Sequence, residues 1–175
     1  MLTAVGRDRV GIADNIAKIA AGQGLNIEES KMAVLGGEFA VIMLVSGGRE
    51  AIDKLGAGLE DRGNELELAF SFKPTRGPSA APEGMPYLIE TVSQDTPGIV
   101  HSVTAVLHKY GVNIEDMETE TTPAPWTGAP LFHMRTRVIL PPTVQAAKLR
   151  REFADLEEKQ DLHIEIKPYY PAMPE

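Results

Sequence analysis

The sequence contains no cysteine, which excludes disulfides, thiolate catalysis and cysteine-ligated zinc together. Basic residues are outnumbered, 17 against 25 acids, and the net charge of −8 argues against direct nucleic-acid binding. Such binding draws most of its affinity from lysine and arginine on phosphates, and Arg150-Arg151 is only a pair on an acid-rich helix. No window approaches the ~18 uncharged apolar residues of a membrane helix. The N-terminus lacks a basic stretch followed by an apolar secretory core, so the expected compartment is the cytoplasm. No Gly-x-Ser-x-Gly elbow, phosphate loop or zinc helix motif occurs, and neither catalysis nor a cofactor is expected.

The four histidines do not compensate. His101 and His108 share a helix face but stand roughly 10 Å apart, too far for one metal without further ligands. His133 and His163 fall on strands with no Asp or Glu spaced to complete a metal box. Packing or solvent-facing roles are expected for all four, and no metal. The acidic run Glu115–Glu120 places Asp116, Glu118 and Glu120 on one strand face; a charged, edge-protecting surface is expected over a cation site. Aromatics are scarce, so the single tryptophan, Trp126 in a proline-rich stretch, stands out as either a partner anchor or a small satellite core.

What the chain does have is an internal repeat. Gly6-Arg7-Asp8-Arg9-Val10-Gly11-Ile12 follows a short apolar run and opens an amphipathic one, as does Ser93-Gln94-Asp95-Thr96-Pro97-Gly98-Ile99. Behind these come Gly24-Leu25-Asn26-Ile27-Glu28 and Gly111-Val112-Asn113-Ile114-Glu115. Gly98 follows Gly11, Gly111 follows Gly24, and Asn113 follows Asn26, each by 87 residues. A tandem duplication accounts for that common register. The expected division is a first domain at 1–73, a Pro/Gly-rich linker at 74–86, a second domain at 87–170 and a frayed tail at 171–175.

The first copy opens with a strand at 2–5, whose abrupt beginning at Met1 suggests a strand extending a residue or two further upstream. Ile12, Ile16 and Ile19 mark a helix over 11–21. Residues 26–35 and 38–45 read as strands about a Gly36-Gly37 hairpin turn. Ile52, Leu55 and Leu59 give a helix over 50–62, and Leu66, Leu68, Phe70 and Phe72 alternate as a last strand. The second copy repeats this order: a strand at 87–92, a helix marked by Ile99, Val103, Val106 and Tyr110, and a strand at 113–121. Residues 122–130 replace the tight hairpin turn, a strand follows at 131–140, and Pro142 suits the start of the next helix. Leu149, Phe153 and Leu156 form that helix's core face, and Leu162, Ile164 and Ile166 alternate as the last strand. The fold class is therefore α+β: two ferredoxin-like βαββαβ domains, each an antiparallel sheet covered by two helices.

The Asp-x-x-Gly-Ile turn after the first strand and the Gly-x-Asn-Ile-Glu opening of the second strand, on βαββαβ, resemble the ACT domain. Two such modules with nothing else attached are similar to the family of glycine cleavage system transcriptional repressors, as is the hairpin Met32–Phe39. Val10 departs from the proline usual at its position, which Pro97 keeps. The resemblance implies a regulatory module that binds a small amino acid, glycine being one candidate, where two modules meet. It also implies a homo-oligomer acting through a partner regulator or enzyme, without membrane or nucleic-acid contact.

The turns themselves fit such a ligand. A helix N-terminus leaves backbone N–H groups unpartnered and partly positive, able to hold a carboxylate. The candidate ligand residues are Asp8, Arg9, Val10, Gly11 and Ile12 with Asn26 and Ile27, and Asp95, Thr96, Pro97, Gly98 and Ile99 with Asn113 and Ile114. The asparagines, taken to open the adjacent parallel-running strand, offer an amide that both donates and accepts. Against this stand simpler roles: Asp8 and Asp95 as helix caps, the glycines as turn geometry, the asparagines as local backbone partners. Three functions follow: an amino-acid sensor reporting through protein contact, a regulatory subunit acting in trans on an amino-acid or one-carbon enzyme, and a ligand-free dimerisation scaffold.

Overall fold

A computed structural model describes residues 1–75 and 83–170. Most of the expected linker (76–82) and the tail (171–175) lie outside the described residues. The chain forms two compact units. The first contains β1 (Leu2–Arg7), α1 (Ile12–Gly22), β2 (Asn26–Leu35), β3 (Glu38–Ser46), α2 (Arg49–Ala57), α3 (Leu59–Leu66) and β4 (Leu68–Phe72). The second contains β5 (Met85–Gln94), α4 (Ile99–Lys109), β6 (Asn113–Pro123), β7 (Pro130–Leu140), α5 (Ala146–Gln160) and β8 (Leu162–Pro168). Both sheets are antiparallel with matching order, β2-β3-β1-β4 and β6-β7-β5-β8.

Alternation decides which face each strand buries. In the first unit Leu2, Ala4, Phe39, Val41, Met43, Val45 and Leu68 pack against Ile12, Ile16, Ile19, Leu55 and Leu59 of the helices. In the second, Ile89, Phe132, Met134, Val138, Ile164 and Ile166 meet Ile99, Val103, Leu107, Leu149 and Phe153. The repeat extends to irregularities. Each edge strand breaks register at the same relative place, at Glu28 between Ile27 and Glu29 and at Glu115 between Ile114 and Asp116. Three hydroxyls in the second core, of Thr91, Ser93 and Thr136, have no hydrogen-bond partner.

The opposite sheet faces have diverged. Val5 and Ile42 lie exposed on the first. On the second, Glu118, Arg135, Glu90 and Glu165 line up across four strands, and Asp116 faces Arg137. Arg135 Nε stands 3.2 Å from Glu90, and Lys167 also pairs with Glu90. The Lys167 hydrogen bond, ahead of any opposing desolvation, holds the Glu90 carboxyl below the usual glutamate range.

The structure departs from the sequence reading in three places. The helix expected over 50–62 is two helices, because Gly58 interrupts it: its N–H bonds to both Lys54 and Leu55 carbonyls at 3.2 Å, closing α2. Leu66 belongs to α3 rather than to the last strand, and Glu67, at φ 49°, turns the chain into β4. Pro142 does not begin α5; a turn closed by Val144 N–H on the Pro141 carbonyl at 2.9 Å precedes a helix starting at Ala146.

Candidate functional site

Each turn after a first strand is built the same way. The Asp8 N–H donates to the Gly37 carbonyl at 3.0 Å, and the Asp95 N–H to the Pro130 carbonyl at 3.1 Å, so each hairpin holds the start of its turn. The helix then begins from a glycine in the left-handed region, Gly11 at φ 93° and Gly98 at φ 102°. A side chain at either would meet nothing within 4 Å, so the backbone conformation and not crowding calls for glycine. Neither Asp8 nor Asp95 caps its helix, since the cap position falls three residues later on a residue without a side chain. The first N–H groups of α1 and α4 therefore have no side-chain acceptor. Val10 is fully exposed, while Ile12 and Ile99 are buried core residues that anchor the helix starts.

The two turns differ in their side chains. Arg9 reaches across the unit: its guanidinium donates to the Leu66 carbonyl at 2.6 Å and lies 3.6 Å from the Glu67 carboxylate. Its counterpart is Thr96, which cannot span that gap. In the second turn Asp95 accepts instead from the Thr121 hydroxyl at 3.3 Å. Trp126 stands 97% exposed in the loop that ends at Pro130. That loop is internally bonded, Ala124 N–H to the Ala129 carbonyl at 2.8 Å and Gly128 N–H to the Ala124 carbonyl at 2.9 Å. The satellite-core reading of Trp126 is thereby corrected.

The expected partnership of turn and asparagine within one unit does not form. β3 lies between β1 and β2, so these strands are not adjacent. Arg7 is opposite Glu38 at one end of β3, and Asn26 is opposite Ser46 at the other, roughly 26 Å away at ~3.3 Å per residue. The second unit repeats this with Gln94 opposite Leu131 and Asn113 opposite Ile139.

The asparagines also differ. Asn26 donates to the Glu28 carboxylate at 3.0 Å, which also accepts from Ser46. The Ser46 bond, then the Asn26 bond, hold the Glu28 carboxyl below the usual range. Asn113 makes no side-chain hydrogen bond among the described residues. It lines a groove of about 490 Å³ along α4, together with His101, His108, Leu107, Val112 and Ile114. Periodicity placed both histidines on one helix face without revealing that the start of β6 lies beside them.

Two further hollows lie away from the turns. A cleft of about 770 Å³ in the first unit is lined by residues of α2, α3 and β4, among them Gly56, Gly63 and Phe70, with Glu67 between them. A recess of about 120 Å³ on the charged face of the second is walled by Asp116, Glu118, Arg135, Arg137 and Tyr169. Among the described residues no three His, Asp or Glu side chains group so as to hold a metal. No helix among them is long and apolar enough to cross a membrane.

Comparison with known proteins places this geometry. Residues 1–73 and residues 87–158 each match the ACT domain. Over 156 residues the chain is 31% identical to the glycine cleavage system transcriptional repressors of Escherichia coli (strain K12) and Shigella flexneri, covering 89% of this chain and 82% of each relative. A crystal structure of an unknown protein from Galdieria sulphuraria matches 97% of this chain and 96% of its own, with a TM-score of 0.78 and 32% identity. Another, of a candidate glycine cleavage system transcriptional repressor, matches 95% and 94% with a TM-score of 0.72; at 23% identity that likeness speaks for the fold.

Proposed function

The chain belongs to the ACT domain family, and on that premise we propose that it is a non-enzymatic regulator that binds a small amino acid and controls a partner protein by contact. The observation that carries this reading is the pair of uncapped helix N-termini opening from left-handed Gly11 and Gly98. Each offers backbone donors to a carboxylate with no side chain in the way. The similarity to glycine cleavage system repressors supports glycine metabolism as the controlled process. The charge of −8 supports action on transcription through a partner rather than on DNA itself.

Turn and asparagine lie too far apart within a unit to share one small ligand, so the carboxylate is assigned to the turn. Ligand binding then shifts the contact with the partner protein by its differential affinity for two states of the regulator. The Arg9 clasp favours a second, scaffold-like role for the first turn, whose own side chain is already engaged.

A thermal-shift titration of the full chain against the twenty amino acids tests the reading. Saturation near a hundred times the dissociation constant adds about 2.7 kcal/mol and raises the midpoint by several degrees. No shift with any amino acid would sink the sensor and leave the scaffold or an enzyme subunit, which co-purification with an enzyme would separate.

A further inference from the structure

We infer that the outer edge of β4 is a docking edge for the partner protein, which adds to it an extended segment of apolar residues flanked by lysine or arginine. The inference says how the partner is held and rests on the partner-contact reading, not on the amino-acid ligand.

The duplication supplies an internal control. β4 and β8 are the corresponding edge strands of their sheets. The left-handed residues that precede them, Glu67 and Asp161, stand 94 positions apart, and the same spacing carries Leu55 to Leu149 and Leu59 to Phe153 in the helices. In the second unit α5 closes that edge. The Ile164 N–H donates to the Glu157 carboxylate at 2.5 Å, and the Arg150 guanidinium donates to the Ile166 carbonyl at 3.3 Å. The counterparts of Arg150 and Glu157 are Gly56 and Gly63. The first unit therefore lacks both side chains that shield this edge in the second. Ala4 faces Phe70 as Thr91 faces Ile164, so the Phe70 N–H and the Phe72 carbonyl point outward in the same way. Neither has a side-chain partner among the described residues. The cleft of about 770 Å³ opens where the two side chains are missing, with both glycines in its lining.

The surroundings set the occupant. An added strand pairs the free backbone groups, and its alternate side chains give specificity. Phe70, Phe72 and Leu59 offer it an apolar floor. β4 carries no charge from Leu68 to Phe72, whereas β8 has His163, Glu165 and Lys167, residues of the kind that keep an edge from pairing. The charged residues lining the cleft are Glu60 and Glu67, both acidic. Glu67 stands 3.6 Å from Arg9, while Glu60 has no ion pair among the described residues. A basic segment answers that charge; β4 of a second copy would bring another Glu60 to it.

Fluorescence anisotropy on the full chain tests this with a labelled peptide, acetyl-Lys-Lys-Val-Ile-Val-Lys-Lys-amide, and circular dichroism confirms that each variant is folded. The expected result is saturable binding that weakens with salt. It is lost when the central amides are N-methylated or the lysines are replaced by glutamate. Gly56→Arg, which imports the side chain of the second unit, abolishes it; the new Cβ meets only the Phe72 ring, at 3.2 Å, which is a side chain able to shift. Glu60→Lys, at an exposed position where folding is not at stake, weakens binding severalfold. Val34→Lys, on the opposite edge strand, keeps it. Binding that survives Glu60→Lys unchanged, or equal binding of the glutamate or N-methylated peptide, overturns the inference. So does the absence of binding to the unaltered chain, or a dimer that Gly56→Arg dissociates, which would give the edge to a second copy. The sensor reading stands or falls separately, on the amino-acid titration.

Discussion

At the scale of single residues, the backbone conformation of Gly11 and Gly98 is the most demanding local feature of each turn. A Cβ at either position has open space, so the cost of alanine there is purely that of the left-handed conformation, roughly 1–2 kcal/mol. Gly11→Ala and Gly98→Ala should each lower the unfolding free energy by that amount, seen as a lower urea midpoint with an unchanged slope. A loss well beyond it would mean that the space above the turn is not open. Glu90 gives a second test. Its folded carboxyl is depressed chiefly by Lys167, so the stability it contributes is present above the ordinary glutamate range and is lost as pH falls through the lower folded value. Lys167 is raised by the same bond, and its share persists below the ordinary lysine range and is lost as pH rises through the higher folded value. Glu90→Gln should therefore flatten the acid limb of a stability-versus-pH curve, and an unchanged limb would show the pair to be a solvated surface contact.

At the scale of elements, the second helix of the first unit separates what a sequence pattern reveals from what it hides. The spacing of Ile52, Leu55 and Leu59 correctly marked an apolar face, because periodicity is a local property. It did not show the break at Gly58, nor that Leu66 closes α3 while Leu68 opens β4, because alternating residues fit either reading until Glu67 turns the chain. Two glycines of that segment should respond in opposite senses. Gly58 has negative φ, and an added Cβ meets only the Lys54 carbonyl at an ordinary 3.6 Å. Gly58→Ala should then stabilise by about 0.4–1 kcal/mol through a less free unfolded chain. A Cβ on Gly63 would lie 2.7 Å from the Leu68 carbonyl oxygen, which is backbone and cannot swing aside, so Gly63→Ala should destabilise. Thermal melts of the two variants moving in the same direction would refute this account of how α3 packs on β4. The candidate site was legible in the same partial way. The repeat located the turns and asparagines, which are short motifs. The Arg9 bond to Leu66, 57 residues away, and the meeting of Asn113 with His101 and His108 depend on tertiary placement that no local pattern carries.

At the scale of the whole molecule, duplication gave two units with one topology and different outer surfaces. Each has its own core and its own complete four-stranded sheet, so each half should fold when produced separately, though domains of this size are only marginally stable. Their solution behaviour should differ. On the first sheet Val5 and Ile42 are open to solvent, and the edge strand β2 adds exposed Met32, Val34 and Leu35. Unpaired edge backbone beside apolar side chains invites association. On the second, acids and bases alternate across the sheet, and edge strand β6 carries Glu118 and Glu120 next to solvent, which disfavours pairing between copies. Sedimentation of the isolated first half should show concentration-dependent self-association, while the isolated second half stays monodisperse. Lys31 already flanks the apolar stretch of β2, and Val34→Lys would add a second positive charge within it; that variant should shift the first half toward monomer. If it remains associated, the contact runs through the Val5–Ile42 face instead, and Ile42→Arg, which imports the residue the second unit has at the matching strand position, becomes the variant that dissociates it.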